Sequence, residues 1–128
     1  MGYANPQQRI TYNWTGMDFG VGADVASSFQ GPKGMVGKIK DIIAVGTEVF
    51  TDGGLIKIGT TGDDDAYASA ALGTLAATDT FVATQDDTDA IIESNLPADT
   101  QVEVVFGKVT AGAGGTGIAN VHIVVEWY

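Results

Sequence analysis

The C-terminal stretch carries the clearest alternation of apolar and polar positions in the chain. In IANVHIVVEWY, residues 118–128, one face takes Ala119, Val121, Ile123, Val125 and Trp127. The other face takes Asn120, His122, Val124 and Glu126. A period of two residues is typical of a strand with one buried side. We therefore predict a strand here, with Trp127 continuing its core face.

Shorter apolar runs punctuated by turn signals precede this strand. Three of these runs are strand-like: LIKIG (55–59), TFVAT (80–84) and VEVVFGKV (102–109). A fourth, MVGKIKDIIAVG (35–46), is also strand-like, with Ile39, Ile43 and Val45 on one face and Asp41 marking a bend or an edge. TDGG, TTGDDD, QDDTD, LPADTQ and the glycine-rich TAGAGGTG lie between the runs and predict turns. The run AYASAAL (66–72) favours one or two helical turns, capped by Asp63 or Asp64.

This spacing of short strands predicts an all-β fold, an antiparallel sandwich or barrel. The alternation of strands and helices that builds a parallel sheet is missing. The predicted sandwich domain covers residues 36–128.

Residues 1–35 form a different kind of segment. RITYNW alternates Ile10, Tyr12 and Trp14 and predicts at most a short strand, and five glycines interrupt the stretch that follows. The segment nevertheless carries more large apolar side chains than a flexible linker does. We predict an extended irregular N-terminal arm that packs either on its own domain or on a neighbouring subunit.

Charge also differs between the first 40 residues and the rest of the chain. The chain has a net charge of −10, residues 1–40 balance at +2, and residues 41–128 balance at −12. A body this acidic does not bind nucleic acid by neutralising phosphates. No apolar run is long enough to span a bilayer, so we expect no membrane partner.

Candidate chemistry is sparse. Asp63, Asp64 and Asp65 lack the spacing of a calcium-binding loop, so a solvated turn is the preferred interpretation of this run. His122 is the sole histidine and there is no cysteine, and GAGGTG (112–117) lacks the lysine and the following helix of a phosphate loop. We therefore expect that the protein is not an enzyme and that it has no catalytic residue, metal or cofactor.

Two runs of the body resemble small structural proteins of tailed bacteriophages. These are LIKIGTTGDDDAYASAALGTL followed by TFVAT, and VEVVFGKVTAGAGGTGIANVHIVVEWY. In that group a strand ends in a turn of the form IGxxGDxDAY/F, and the chain closes with a strand after a TAG-rich hairpin. The resemblance covers residues 36–128 and does not extend to the first 35 residues.

The resemblance implies a virion component, specifically a capsid decoration (cement) protein. Such proteins are β-sandwiches or jelly rolls that sit as trimers or dimers on the outer shell and brace major capsid subunits. It therefore implies a jelly-roll-like sandwich, assembly in the host cytoplasm, a place on the outer capsid surface, the major capsid protein as partner, and a homo-oligomer.

The interaction residues expected on this basis are all in or near the arm. We expect aromatic anchors and basic side chains to contact the capsid or a sister subunit, namely Tyr12, Trp14, Phe19, Phe29, Arg9, Lys33, Lys38 and Lys40. Three alternatives remain: another virion part such as a head-fibre base or tail protein, a host-surface or carbohydrate-binding module, and a small hydrolase built around His122.

Overall fold

The computed structural model describes residues 8–20, 24–51, 53–108 and 117–128. These residues form nine strands: β1 (Gln8–Asp18), β2 (Val25–Phe29), β3 (Gly37–Glu48), β4 (Gly54–Gly59), β5 (Ala68–Gly73), β6 (Thr80–Thr84), β7 (Asn95–Leu96), β8 (Val102–Lys108) and β9 (Ile118–Trp127). No helix occurs among them, and so none that is long and apolar enough to cross a membrane. The predicted all-β class is confirmed.

The strands build two antiparallel sheets that pack face to face. Sheet A has the order β1-β9-β3-β6, with the short β7 pairing beside β6 on β3, and sheet B has the order β2-β8-β4-β5. One hydrophobic core fills the space between the sheets. The predicted antiparallel β-sandwich is therefore present.

The strand order makes this sandwich a jelly roll. Apart from β7, the chain changes sheet at every connection except the β4–β5 hairpin. The antiparallel pairs are β1–β9, β2–β8, β3–β6 and β4–β5, so the first half of the chain runs back along the second. This arrangement is one long hairpin rolled into two sheets of four strands, which is the jelly-roll arrangement. The turn between β4 and β5, residues 60–67, is the tip of that hairpin.

The core face predicted for the last strand is confirmed. Its five predicted inward residues from Ala119 to Trp127 are all at most 1% exposed. Because β9 lies between β1 and β3 in sheet A, both of its edges are paired. This central position explains why its sequence shows the most regular alternation in the chain.

The bend predicted near Asp41 is a β-bulge, and it changes the faces of β3. The register with β9 shifts between Ile39 and Asp41. A bulge adds a residue to one strand and offsets the side-chain alternation beyond it. Ile39 is inward before the bulge, but Ile42 and Ala44 are inward after it. The prediction that Ile43 and Val45 share the face of Ile39 is therefore wrong.

Trp127 is held where two backbone segments come very close to its ring. A Cβ added at Gly31 would lie 2.4 Å from the indole, and one added at Gly37 would lie 2.6 Å from it. Trp127 itself is 1% exposed. The two glycines therefore create the space that allows the last core residue of β9 to be buried.

The N-terminal segment is not an irregular arm where it is described. Residues 8–18 form β1, which pairs with β9, and residues 25–29 form β2, which pairs with β8. The jelly roll therefore takes one edge strand of each sheet from the segment that was predicted to precede the domain. Of the two packing alternatives, the structure shows packing on the chain's own domain.

Two further sequence-based expectations have different outcomes. The helical turns expected over 66–72 are wrong, because Ala68–Gly73 is a strand that pairs with β4. Pairing in the sheet has overridden the helix propensity of an alanine-rich run. The glycine-rich hairpin predicted over 110–117 lies almost entirely outside the described residues.

Candidate functional site

The aromatic side chains predicted as interface anchors face the protein's own core. The rings of Tyr12 and Phe29 stack with their centroids 4.2 Å apart. The Trp14 ring meets Phe106 edge-on at 5.5 Å, and its Nε1 donates a hydrogen bond to Ser27 Oγ at 2.9 Å. Burial raises the pKa of Tyr12. These contacts join β1 and β2 across the open side of the sandwich.

Phe19 also faces the protein's own core, at the opposite end of the sandwich. Its ring lies 5.2 Å from that of Phe50 and 5.9 Å from that of Phe106. Phe19 is 2% exposed and Phe29 is 7% exposed. A side chain this deeply buried has no area left for a partner, so the anchor role expected for Phe19 and Phe29 is corrected to a core role.

Two of the predicted basic residues come together on the outer surface of sheet A. Arg9 on β1 and Lys38 on β3 are both register partners of Glu126 on β9, one on each side. Arg9 forms an ion pair with Glu126 at 3.1 Å, and the Arg9 side chain is 59% exposed. The acidic group between them already offsets part of this positive charge.

The other two predicted basic residues are placed differently. The Lys40 Nζ donates a hydrogen bond to Gln85 Oε1 at 2.8 Å, at the bulge of β3. Lys33 is exposed in the connection between β2 and β3. The four cations therefore do not form one patch, although three of them lie on the outer surface of sheet A.

The middle of that surface is apolar and carries the histidine. Cross-strand register places His122 beside Ile43, and Ile43 beside Val82. Val45 lies one row away on the same face, and Val82 is 52% exposed. Val124 faces the same side but is only 8% exposed, so it adds little to this surface. We call the group Ile43, Val45 and Val82 the outer patch. An apolar centre with a polar rim is the arrangement of a protein interface.

His122 has no acidic partner in this surface. Its Nδ1 is hydrogen-bonded to the side-chain oxygen of Asn13 on β1. A hydrolase of the serine or cysteine type needs a nucleophile and an acidic or amide orienter around its histidine. Asn13 has the chemistry of an amide orienter, but the register partner on the other side of the ring is Ile43, which is not a nucleophile. The two register partners of His122 therefore complete no triad.

A groove opens at the end of the sandwich where β9 finishes. Its volume is about 450 Å³, and its lining includes Val36, Lys38, Pro97 and Tyr128. The backbones of Val36 and Tyr128 exchange two hydrogen bonds of 2.9 and 3.1 Å. Tyr128 is 41% exposed, and among the described residues it is the one aromatic side chain that is largely exposed. Sequence reasoning did not find this groove, because its walls come from three distant segments.

The three aspartates lie at the hairpin tip and face solvent. Their carboxylate oxygens lie within 4.8 Å of one another, and no other such group of acidic, histidine or cysteine residues occurs in the described ranges. The Lys57 Nζ lies 3.2 Å from Asp64 and neutralises one of them. A hydrogen bond with Asp65, aided by its charge, raises the pKa of Asp63. The geometry is that of a solvated turn with crowded charges.

Fold and surface together define a small acidic jelly-roll protein with an apolar patch on the outside of one sheet. No protein-family model matches this chain. No curated protein gives a significant match.

Among solved structures, one similar chain comes from the structure of infectious bursal disease virus Gx strain. It has a TM-score of 0.34 and 12% sequence identity, and the similarity covers 97% of this chain. This protein spans about a third of that chain, 32% of its length. A similarity at this level carries no argument about function.

Proposed function

We propose that this protein is a structural component of a tailed-bacteriophage particle, where it decorates the outer capsid surface and bridges neighbouring major capsid subunits. The observation that carries the proposal is the jelly-roll strand order, β1-β9-β3-β6 facing β2-β8-β4-β5. Jelly rolls serve as viral capsid domains and as lectin domains. The resemblance of residues 36–128 to small phage structural proteins selects the first of these uses.

The chemistry of the described residues supports a structural role over a catalytic one. The sole histidine lies between Asn13 and Ile43, neither of which is a nucleophile, and the acidic cluster is exposed at a hairpin tip. An active site is normally a concave pocket in which ionisable groups converge. The groove near Tyr128 has Lys38 as its sole charged lining residue.

The outer patch is the surface that suits the capsid best. Most of the body is strongly acidic, which disfavours contact with other acidic surfaces. The surface around the patch instead combines Arg9, Lys38 and Lys40 with Asp41 and Glu126, so its charges nearly cancel. A nearly neutral face with an apolar centre loses little free energy when it is desolvated against a partner.

Stabilisation of the shell then follows from mass action. A protein that binds only the assembled lattice shifts the equilibrium towards that lattice, by an amount that grows with its concentration over its Kd. A contact shared between two capsid subunits requires a total buried area on the order of 1,200–2,000 Å² to be specific and stable.

The test uses phage shells that lack this protein. Purified protein is added to the shells, co-sedimentation measures the bound number of copies, and cryo-electron microscopy locates them. We expect saturable binding at junctions between major capsid subunits, and a higher temperature for shell disruption. Val82→Lys places a charge in the outer patch and should weaken binding at least tenfold.

A matched control separates the patch from a general effect of charge. Val49 is 50% exposed, close to the value for Val82, but it lies in the connection between β3 and β4. Val49→Lys should bind like the wild type. Absence of the protein from intact particles, together with no binding to shells, would contradict the proposed function. Density at a fibre or tail, or affinity for glycans, would support the alternatives instead.

A further inference from the structure

The four edge strands of the sandwich differ in how well they are protected. The edge of β5 is partly covered, because Ser69 donates a backbone hydrogen bond to Ala90 and Tyr67 accepts two from residues 92 and 93. The edge strands β2 and β6 have five residues each. The edge strand β1 has eleven. It is the longest edge that the described residues present.

The first part of β1 has few of the features that normally protect an edge. Residues Gln8–Trp14 pair with β9 in one unbroken register, and the irregularity comes only between Trp14 and Met17. Natural sheets protect their edges with charged side chains, above all lysine, and with proline, bulges or short strands. The strand has no lysine or proline, and its one basic residue, Arg9, is ion-paired with Glu126 on β9. Among the described residues, no strand other than β9 pairs with this edge of seven residues.

The side chains of this edge also indicate what kind of strand fits it. Ile10, Tyr12 and Trp14 point inward but remain only half-buried, at the open side of the sandwich. Thr11 and Asn13 are exposed on the other face. The best complement is a strand with the same alternation, which would cover the half-buried side chains and continue the polar face.

Charge points to the same type of partner. Arg9 is the one formal charge in residues 8–17, and it is already ion-paired with Glu126. The rest of the molecule carries −11, so most other pairs of surfaces on two copies would repel each other. The β1 edge is a place where two copies can approach without facing acidic groups.

We propose that the β1 edge pairs with the β1 edge of a second copy of this chain. The pairing is antiparallel and two-fold symmetric, and it joins the two A sheets into one continuous sheet. With the axis near Thr11, Ile10 lies opposite Tyr12 of the second copy, and Arg9 lies opposite Asn13 of the second copy. Such an interface uses the same surface on both copies, so it closes as a dimer.

The test exploits that symmetry. Thr11 is exposed and lies close to its own copy across the axis, so a charge there meets the same charge. Analytical ultracentrifugation over a dilution series should give the wild type twice the mass of one chain. Thr11→Lys and Thr11→Glu should each give the mass of one chain, with an unchanged circular dichroism spectrum. Their melting temperatures should be independent of protein concentration, because dissociation removes the stabilisation that a dimer gains by mass action. An equimolar mixture of the two variants should recover the double mass, and native mass spectrometry should identify it as a heterodimer.

The matched control lies on the opposite edge of the same sheet. Thr84 is also an exposed threonine, at the end of β6. Thr84→Lys should remain dimeric. A monomeric wild type, a trimer, or dissociation by Thr84→Lys but not by Thr11→Lys would overturn the proposal. These results do not depend on whether the protein binds a capsid, so the dimer and the proposed function fail separately.

Discussion

The N-terminal strands and the acidic turn at residues 60–67 differ in how well their local sequence predicts their structural role. The N-terminal segment is glycine-rich and broken in pattern, yet its strands pair with the other end of the chain and its aromatic residues pack in or against the core. The acidic turn has the most conspicuous run of ionisable residues in the protein, yet it is the solvated tip of a hairpin.

The difference follows from the jelly-roll path. Each strand of the first half meets a strand of the second half, so the partners of β1 and β2 lie 73 to 119 residues away along the sequence. The partners of the turn are its immediate neighbours. The local sequence pattern therefore predicts the turn well. It does not contain the distant strands with which β1 and β2 pair, so it does not show that these two strands belong to the sandwich.

Removing the N-terminal strands should have the largest effect. Deletion of residues 1–30 takes away β1 and β2, and it leaves β8 and β9 each with a bare edge. We expect loss of the cooperative thermal transition by circular dichroism, because the stability of a domain of this size is only about 5–15 kcal/mol. The sequence pattern alone predicts that the remaining body folds, and a cooperative transition in the deleted chain would favour that prediction.

Truncating one buried ring should have the next largest effect. Phe29→Ala removes the ring that stacks on Tyr12. Replacing a buried phenylalanine by alanine costs about 3–5 kcal/mol. Urea denaturation should show this loss, and Phe29→Leu should show a smaller one. A cost below 1 kcal/mol for Phe29→Ala, on the same scale, would mean that β2 does not pack on the core.

A pair of glycine substitutions compares the core end of β9 with the acidic turn directly. Gly37→Ala places a Cβ 2.6 Å from the Trp127 ring, whereas a Cβ at Gly62 meets nothing within 4 Å. Overpacking of this kind costs about 1–3 kcal/mol. Chemical denaturation should show that cost for Gly37→Ala and nearly no change for Gly62→Ala. Equal effects of the two substitutions would remove the distinction between the two regions.

The smallest effect should come from the aspartates. Because the pKa of Asp63 is raised by Asp65, the folded state holds a proton there more tightly than the unfolded state does. Above the raised pKa both carboxylates are charged, and their repulsion lowers the stability of the folded state. As pH falls through this pKa, Asp63 takes up a proton and the folded state becomes more stable relative to the unfolded state. Asp65→Asn should raise the melting temperature slightly at neutral pH.

The pH dependence provides the control for that prediction. Well below the ordinary carboxyl pKa of 3.8, Asp63 is protonated in both states, so Asp65→Asn should then no longer raise the melting temperature. A stabilisation that persists at low pH would show that charge repulsion is not its cause.

Much of the sandwich could be predicted because the relevant signals are local. Alternation and flanking turns located β4, β6, β8 and β9 closely. The signal failed where a distant partner decides the outcome: β5 pairs with β4 despite its alanine-rich sequence, and the bulge near Lys40 changes the inward face of β3.

The candidate surface was harder to predict than the fold. The outer patch combines Ile43 and Val45 of β3 with Val82 of β6, which become neighbours only once the register is known. The predicted aromatic anchors failed for the converse reason. An aromatic residue in an irregular sequence gives no sign of which surface buries it, and the structure assigns Tyr12, Phe19 and Phe29 to the core side.

The most direct test of this account is a measurement of proton distances by NMR between the N-terminal and C-terminal strands. The antiparallel register predicts nuclear Overhauser effects between Ile10 and Val125 and between Ala26 and Val105. It also predicts strand-like chemical shifts throughout residues 8–18. Random-coil shifts in that segment, with strand-like shifts in β3 to β9, would contradict the account.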